Sequence, residues 1–289
     1  FNTPLCESSI LSASYGMSIG GFKTIVEMQF SDFISSGFTA IVNLIAKSNY
    51  RWAQNADIVV RMPCGGGVGA GPFHSQTNEV WFSKVPGLKI VYPSFPSDAK
   101  GLLHSSIDDP NPVLFFEHKN LYRTIRQDVK KGRYTLELGK GRIRQVGDSL
   151  TVVTYGMGVH WAVDVANKLE NDDINIEVLD LRSLLPWDKE SVKKSITKTN
   201  RALILHEANL TGGIGAEISA YIAEYCFNFL DAPVIRVASI DTPIPFASKI
   251  EKEIYQICLK IKNEKNITSN KDIANATFIV NEYCVHKIK

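Results

Sequence analysis

No apolar run in this 289-residue chain approaches the roughly 20 residues that span a bilayer, so a membrane helix is not expected. Phe1-Asn2-Thr3-Pro4 lacks the basic start and apolar core of a secretory signal. It also lacks a start methionine, and the expectation is a chain truncated at its N-terminus or the C-terminal part of a longer fused polypeptide. The cysteines Cys6, Cys64, Cys226, Cys258 and Cys284 are scattered, without the close spacing of a zinc site or a redox motif. Reduced thiols in an intracellular protein are the expectation. The histidines form no metal-ligand cluster. Charge of one sign is lacking too: 32 Lys and Arg against 30 Asp and Glu leave +2, which demands neither nucleic acid nor an anionic membrane.

Several motifs are also missing. No Gly-Lys-Ser/Thr occurs, which excludes a P-loop. The run Gly65-Gly66-Gly67-Val68-Gly69-Ala70-Gly71 fails the dinucleotide-binding spacing in every frame. Gly16-Met17-Ser18-Ile19-Gly20 fits a nucleophile elbow, but that elbow needs a strand before the serine and a helix after it. Here the order is reversed. The basic stretch between His118 and Asp148 has only Tyr122 and Tyr134 interleaved, too few aromatics for a nucleic-acid surface. Little in it could form a core, so it reads as the connection between two domains.

Either side of that stretch, strand and helix patterns alternate. In the first half the pattern predicts helix from Ser8 to Ile19, strand over Thr24–Gln29, an amphipathic helix over Phe38–Lys47 and a β-branched strand over Asp57–Met62. A flexible glycine loop from Pro63 to Pro72 follows. Further on come a strand over Lys89–Tyr92, a helix over Asp98–Ile107 capped by Ser97, and a continuously apolar strand over Val113–Glu117. The second half predicts strands Leu150–Thr154, Asn175–Asp180, Ala202–His206 and Val234–Ser239, and helices Val159–Glu170, Asp188–Thr199 and Ile214–Cys226. Such alternation predicts an α/β protein with parallel sheets, whose ligands bind beyond the carboxyl ends of the strands. Gln29 and the glycine loop before His74 both lie there. Gly212-Gly213-Ile214-Gly215 opens a helix and either holds an anion or allows tight packing of helix on strand.

Glu7 follows Leu5 and Cys6 and precedes Ile10 and Leu11. It reads either as a helix-start glutamate complementing the macrodipole or as a partly desolvated carboxyl that shares a proton. One chemistry that uses the second is the activation of thiamine diphosphate through its aminopyrimidine nitrogen. His74, after five glycines at the mouth of a sheet, is placed to meet a ligand.

These residues, in order, resemble the beta subunit of the decarboxylating component of 2-oxo acid dehydrogenase complexes. The strings that carry the resemblance include Thr3-Pro4-Leu5-Cys6-Glu7, Glu27-Met28-Gln29-Phe30-Ser31-Asp32-Phe33 and Phe73-His74-Ser75-Gln76. Others are Pro86-Gly87-Leu88-Lys89, Asp98-Ala99-Lys100-Gly101-Leu102-Leu103, Asn228-Phe229-Leu230-Asp231-Ala232-Pro233 and Asp241-Thr242-Pro243. Glu27-Met28-Gln29-Phe30, Leu185-Pro186-Trp187-Asp188 and His206-Glu207-Ala208 with Thr211-Gly212-Gly213 look more like branched-chain than pyruvate members.

The resemblance implies two doubly wound domains: a transketolase-like pyrimidine-binding domain over 1–125, a linker over 126–147 and a transketolase C-terminal domain over 148–265. A divergent tail over 266–289 follows. It implies oxidative decarboxylation with acyl transfer to lipoyl, with Glu7 on the aminopyrimidine nitrogen and Gln29 lining the pocket. Phe33 would stack on the pyrimidine where many relatives have tyrosine, and His74 would face the reacting carbon as proton donor. A potassium ion would sit between Ala56, Ile58 and Val59 on one side and Ser106, Asp109 and Asn111 on the other, largely on backbone carbonyls. The diphosphate and its magnesium would be held by an alpha subunit through a Gly-Asp-Gly motif, which this chain does not contain. The implied partners are that alpha subunit, in an alpha2-beta2 assembly, and a lipoyl acyltransferase core, in bacterial cytoplasm or the mitochondrial matrix. Competing expectations are a pyruvate or acetoin dehydrogenase beta subunit, a transketolase or deoxyxylulose-phosphate synthase fragment, and a non-catalytic docking subunit.

Overall fold

The computed structural model of the chain describes residues 2–170 and 173–256. The strands, in chain order, are β1 (Thr24–Glu27), β2 (Ile58–Cys64), β3 (Lys89–Val91), β4 (Val113–His118), β5 (Arg142–Gln145), β6 (Leu150–Thr154), β7 (Ile176–Asp180), β8 (Ser183–Leu185), β9 (Ala202–Asn209) and β10 (Ile235–Ser239). The helices are α1 (Glu7–Ile19), α2 (Ser48–Trp52), α3 (Val80–Ser83), α4 (Pro96–Asp108), α5 (Leu121–Thr124), α6 (Met157–Leu169), α7 (Lys189–Thr199), α8 (Ile214–Tyr225) and α9 (Ser248–Gln256). Two compact units result, one of Phe1–Lys140 with Arg182–Trp187 and one of Gly141–Leu181 with Asp188–Lys289. The expected α/β class with parallel sheets is what forms.

The first unit holds a sheet in the order β1-β2-β4-β3-β8, parallel except for β8, which runs antiparallel to β3. Every residue of β4 is buried, as an apolar run between helix-covered faces requires. Val59, Val91, Leu102, Val113 and Phe115 form the core between this sheet and α4. Pro96, not Ser97, begins α4: Phe95 takes the cap position without a side-chain bond, and proline's fixed φ suits the first helical residue. Ser18 lies within α1 and accepts the Asp57 backbone N–H at 2.8 Å, so the string around it is not a nucleophile elbow.

Two expectations are corrected. The predicted helix over Phe38–Lys47 is helical but irregular: it follows directly on a 3-10 turn over Ser31–Gly37 and contains a π turn over Ala40–Leu44 and a second 3-10 turn over Ile45–Lys47. That winding brings Ala40, Ile41, Ile45 and Ala46 all into the core. The basic stretch is also not bare connection. Tyr134, Leu136 and Leu138 alternate inward against α4 while Lys131, Arg133 and Glu137 point out. Leu136 donates its N–H to the Gly101 carbonyl at 3.3 Å, and Tyr134 donates its hydroxyl to Ser97 O at 2.6 Å.

The second unit's sheet runs β10-β9-β6-β7-β5, parallel except for β5 at the edge. Asp188 caps α7 by accepting the Ser191 N–H at 3.0 Å. The inner face of α8 is Ile214, Gly215, Ile218 and Ile222, and Tyr225 is exposed. A Cβ at Gly213 would lie 2.5 Å from the His206 ring, and one at Gly215 2.7 Å from it. These glycines serve packing.

Candidate active site

Glu7 is the first residue of α1 and is half-buried. Of its apolar sequence neighbours only Leu11 is fully buried, whereas Leu5 is 80% exposed, so the greasy setting expected for this carboxyl is only partly supplied by the chain itself. What meets Glu7 instead is the 3-10 turn Ser31–Gly37. Ser36 donates its hydroxyl to Glu7 Oε2 at 2.6 Å and lies 3.1 Å from the Phe33 carbonyl. The turn can come this close because residue 37 is glycine: a Cβ there would stand 2.5 Å from Leu11 Cδ1 and 3.4 Å from the Glu7 backbone.

The same turn and the residue before it carry the aromatic rings around His74. The Phe33 ring meets the imidazole edge-on at 5.5 Å, and Phe30 does so at 5.3 Å. Such T-shaped pairs contribute about 0.5–1.5 kcal/mol beyond area burial. The segment after His74 is tied to the turn by three hydrogen bonds, two through the Gln76 backbone and one through the Asn78 side chain. Gln76 N–H donates to Asp32 Oδ1 at 3.1 Å, Asn78 Nδ2 to Ser31 O at 2.8 Å, and Ser31 Oγ to Gln76 O at 3.4 Å. Lys119, one residue past β4, donates from Nζ to the His74 carbonyl at 2.6 Å and lies 5.0 Å from the Phe30 ring centroid. Glu7, Phe33 and His74 are thus brought together. Three buried oxygens of the turn and of the segment after His74, Asp32 Oδ2, Ser75 Oγ and Asn78 Oδ1, lack a hydrogen-bond partner among the described residues.

Gln29 is exposed two residues beyond β1, at the carboxyl end of the sheet as expected. There Arg61 binds Glu117 through two bonds at 2.6 and 2.8 Å and Glu27 through a third at 2.6 Å, and Tyr122 donates to Glu117 at 2.7 Å. The Glu117 contacts hold the Arg61 guanidinium firmly charged, and burial together with Glu117 keeps the Tyr122 phenol protonated well above its usual range. Lys119 and Ser36 are the residues sequence reasoning missed. The position just after a parallel strand, which singled out Gln29, is a signal that would have found Lys119.

Of the residues implied for potassium, Ile58 and Val59 begin β2, Val59 pairing with Val113 of β4, while Ser106 and Asp109 lie at the end of α4. Asp109 is the acidic member of the set. Burial raises its carboxyl, but hydrogen bonds from Lys89 and Asn111 outweigh that and hold it below the ordinary range. Its charge is met by Lys89, and the Ala56 carbonyl accepts from Ile58 N–H at 2.8 Å, so a cation would depend on the remaining main-chain oxygens.

Two family models match the chain: "Transketolase, pyrimidine binding domain" over residues 1–125 and "Transketolase, C-terminal domain" over 139–257. The 2-oxoisovalerate dehydrogenase subunit beta of Bacillus subtilis is 45% identical over 256 residues, covering 87% of this chain and 78% of that one. The chain belongs to the family of 2-oxo acid dehydrogenase beta subunits. Identity to the mitochondrial 2-oxoisovalerate dehydrogenase subunit beta 2 of Arabidopsis thaliana is also 45%, covering 85% of this chain and 69% of that one. The pyruvate dehydrogenase E1 component subunit beta of Bacillus subtilis is 40% identical, covering 86% and 77%. Among solved structures, a split-gene transketolase described as an inactive beta4 tetramer superposes with a TM-score of 0.71 at 20% identity, covering 88% of this chain and 78% of that one. That likeness shows the fold alone, the transketolase-like pair of domains expected from the sequence. The family's decarboxylating subunits use thiamine diphosphate. Among the described residues no helix is long and apolar enough to cross a membrane.

Proposed function

We propose that this chain supplies the pyrimidine half of a thiamine diphosphate site in a branched-chain 2-oxo acid dehydrogenase with lipoyl as acceptor, active only with an alpha partner. One observation carries this reading: a carboxyl, an aromatic face and an imidazole are joined through a single turn, Glu7 to Ser36 to Phe33 to His74. That donor set fits the pyrimidine end of the cofactor, and the unpartnered oxygens of Asp32, Ser75 and Asn78 in the same turn and loop leave polar capacity there. When bound, thiamine diphosphate supplies the carbon nucleophile and stabilises the charge left by departing carbon dioxide.

The chain's own residues do the rest. Glu7 shares a proton with the aminopyrimidine ring nitrogen, and Phe33 offers its ring face without the hydroxyl that tyrosine would add. Gln29 lines the pocket. His74, oriented by the two phenylalanines and by Lys119 at its carbonyl, donates a proton as the acyl group passes to the lipoyl arm.

The magnesium and diphosphate fall to the alpha subunit, in line with the lack of Gly-Asp-Gly here, and the assembly is alpha2-beta2 on an acyltransferase core. The domain limits 1–125, 126–147, 148–265 and 266–289 belong to this reading, and positions past Gln256 lie outside the described residues. A potassium ion at Ala56, Ile58, Val59, Ser106, Asp109 and Asn111 belongs to it too, and would show as potassium-dependent melting. On this reading the compartment is bacterial cytoplasm or the mitochondrial matrix, supported by relatives from a bacterium and with a mitochondrial name. Use of pyruvate is the second reading, favoured by the relative at 40% identity.

The test is E7Q co-expressed with the alpha subunit. Turnover is expected to fall at least about 100-fold while the assembly still elutes intact from a sizing column. Unchanged turnover would remove Glu7 from the mechanism.

A further inference from the structure

We infer that Ser36 is a positioning residue that decides which oxygen of the Glu7 carboxyl exchanges a proton. The inference rests on the reading of Glu7 given above. A glutamate at the first position of a helix is ordinarily solvated and samples many rotamers. Here Ser36 Oγ approaches Oε2 to 2.6 Å, within the range of a charge-assisted O–H···O⁻ bond. A hydroxyl carries a single proton, and the Phe33 carbonyl at 3.1 Å is the weaker competitor for it. With Oε2 accepting that proton, the exchangeable proton of a protonated Glu7 sits on Oε1. Oε1 is then the oxygen presented to a ligand.

The hydroxyl also sets the carboxyl in register with the aromatic face. Ser36 lies three residues after Phe33 in the same turn, and that turn reaches α1 only because Gly37 has no side chain to meet Leu11. A shift of the turn would therefore move the acid and the stacking ring out of step. The proton balance is simple. One proton passes between Glu7 Oε1 and the ring nitrogen, while Ser36 keeps its own and strengthens its bond when Glu7 is ionised.

The test uses the chain assembled with its alpha subunit and four variants: S36A, S36T, E7Q and the double S36A/E7Q. Calorimetric titration with thiamine diphosphate reads the dissociation constant, and turnover is measured alongside. S36A is expected to weaken cofactor binding about five- to tenfold, the size of an ordinary intramolecular hydrogen bond. S36T, which keeps the hydroxyl, should stay within about twofold of the unmodified chain. In the E7Q background S36A should add nothing, because the serine acts through that carboxyl. Unchanged binding in S36A overturns the inference. So does an equal loss from S36A with and without E7Q, or an S36T variant that behaves like alanine. If E7Q itself leaves binding and turnover unchanged, the reading of Glu7 has failed. If E7Q is impaired and S36A is not, the role of Ser36 alone has failed.

Discussion

His206 gives a prediction whose size follows from its surroundings. It lies in β9 with no exposed surface, its Nδ1 3.0 Å from the Ala208 carbonyl and its ring stacked on Tyr155 at 6.4 Å. Gly213 and Gly215 close against the same ring, leaving no room for water to solvate a charge. Burial, with a smaller contribution from Arg236, lowers its pKa from 6.5 to about 4. The unfolded chain therefore binds a proton below pH 6.5 that the folded chain refuses until about pH 4. Stability is complete above the unfolded value and falls as the pH drops through that window. At pH 5 the loss from this group is about 2 kcal/mol relative to pH 7, or roughly 4–8 °C in melting temperature for a domain of this size. Calorimetric melts of the unmodified chain and H206Q at pH 7 and pH 5 check it. The variant is expected to melt lower at pH 7 yet lose less on acidification. An identical pH dependence in the two proteins would refute the reasoning.

Lys119→Met removes the bond to the His74 carbonyl and the contact with Phe30, freeing the loop while leaving Glu7 in place. Lipoyl-dependent turnover should fall on the order of 10–100-fold, and decarboxylation measured with an artificial electron acceptor should fall much less; equal losses would contradict the assignment of His74 to acyl transfer. Cys6 is exposed, and the Ser9 hydroxyl and backbone N–H lower its thiol pKa, whereas Cys64 and Cys226 are buried. Limited iodoacetamide followed by peptide mass spectrometry should label Cys6 before those two, and the reverse order would show the thiol to be covered. Gly213→Ala places a Cβ 2.5 Å from His206 and 2.6 Å from the Asn209 carbonyl. It should cost about 1–3 kcal/mol in urea unfolding, and an unchanged midpoint would mean the start of α8 yields.

The fold was legible where the signal is local. β6 runs over the predicted Leu150–Thr154, and β4 announced itself as a run of apolar residues between turn signals. β5 and β8 escaped notice because they are edge strands of four and three residues whose antiparallel partners lie far along the chain. The inward Tyr134, Leu136 and Leu138 were hidden by the basic residues that flank them, Lys130, Lys131, Arg133 and Lys140. Glu7, Phe33 and His74 could be named because each belongs to a string of family residues and His74 follows a loop of unusual glycine content. Gly65, Gly67, Gly69 and Gly71 of that loop all take positive φ, between 69° and 81°. Ser36 could not be found this way. Its role depends on the approach of a 3-10 turn to the start of α1, a contact set by Gly37 rather than by any periodicity.

The most direct test is the structure of the chain bound to its alpha subunit and thiamine diphosphate. A Glu7 carboxyl oxygen is predicted within hydrogen-bond distance of the aminopyrimidine ring nitrogen, with Phe33 against the ring face and His74 on the side of the reacting carbon. A cofactor bound with Glu7 turned away from the pyrimidine would contradict the account.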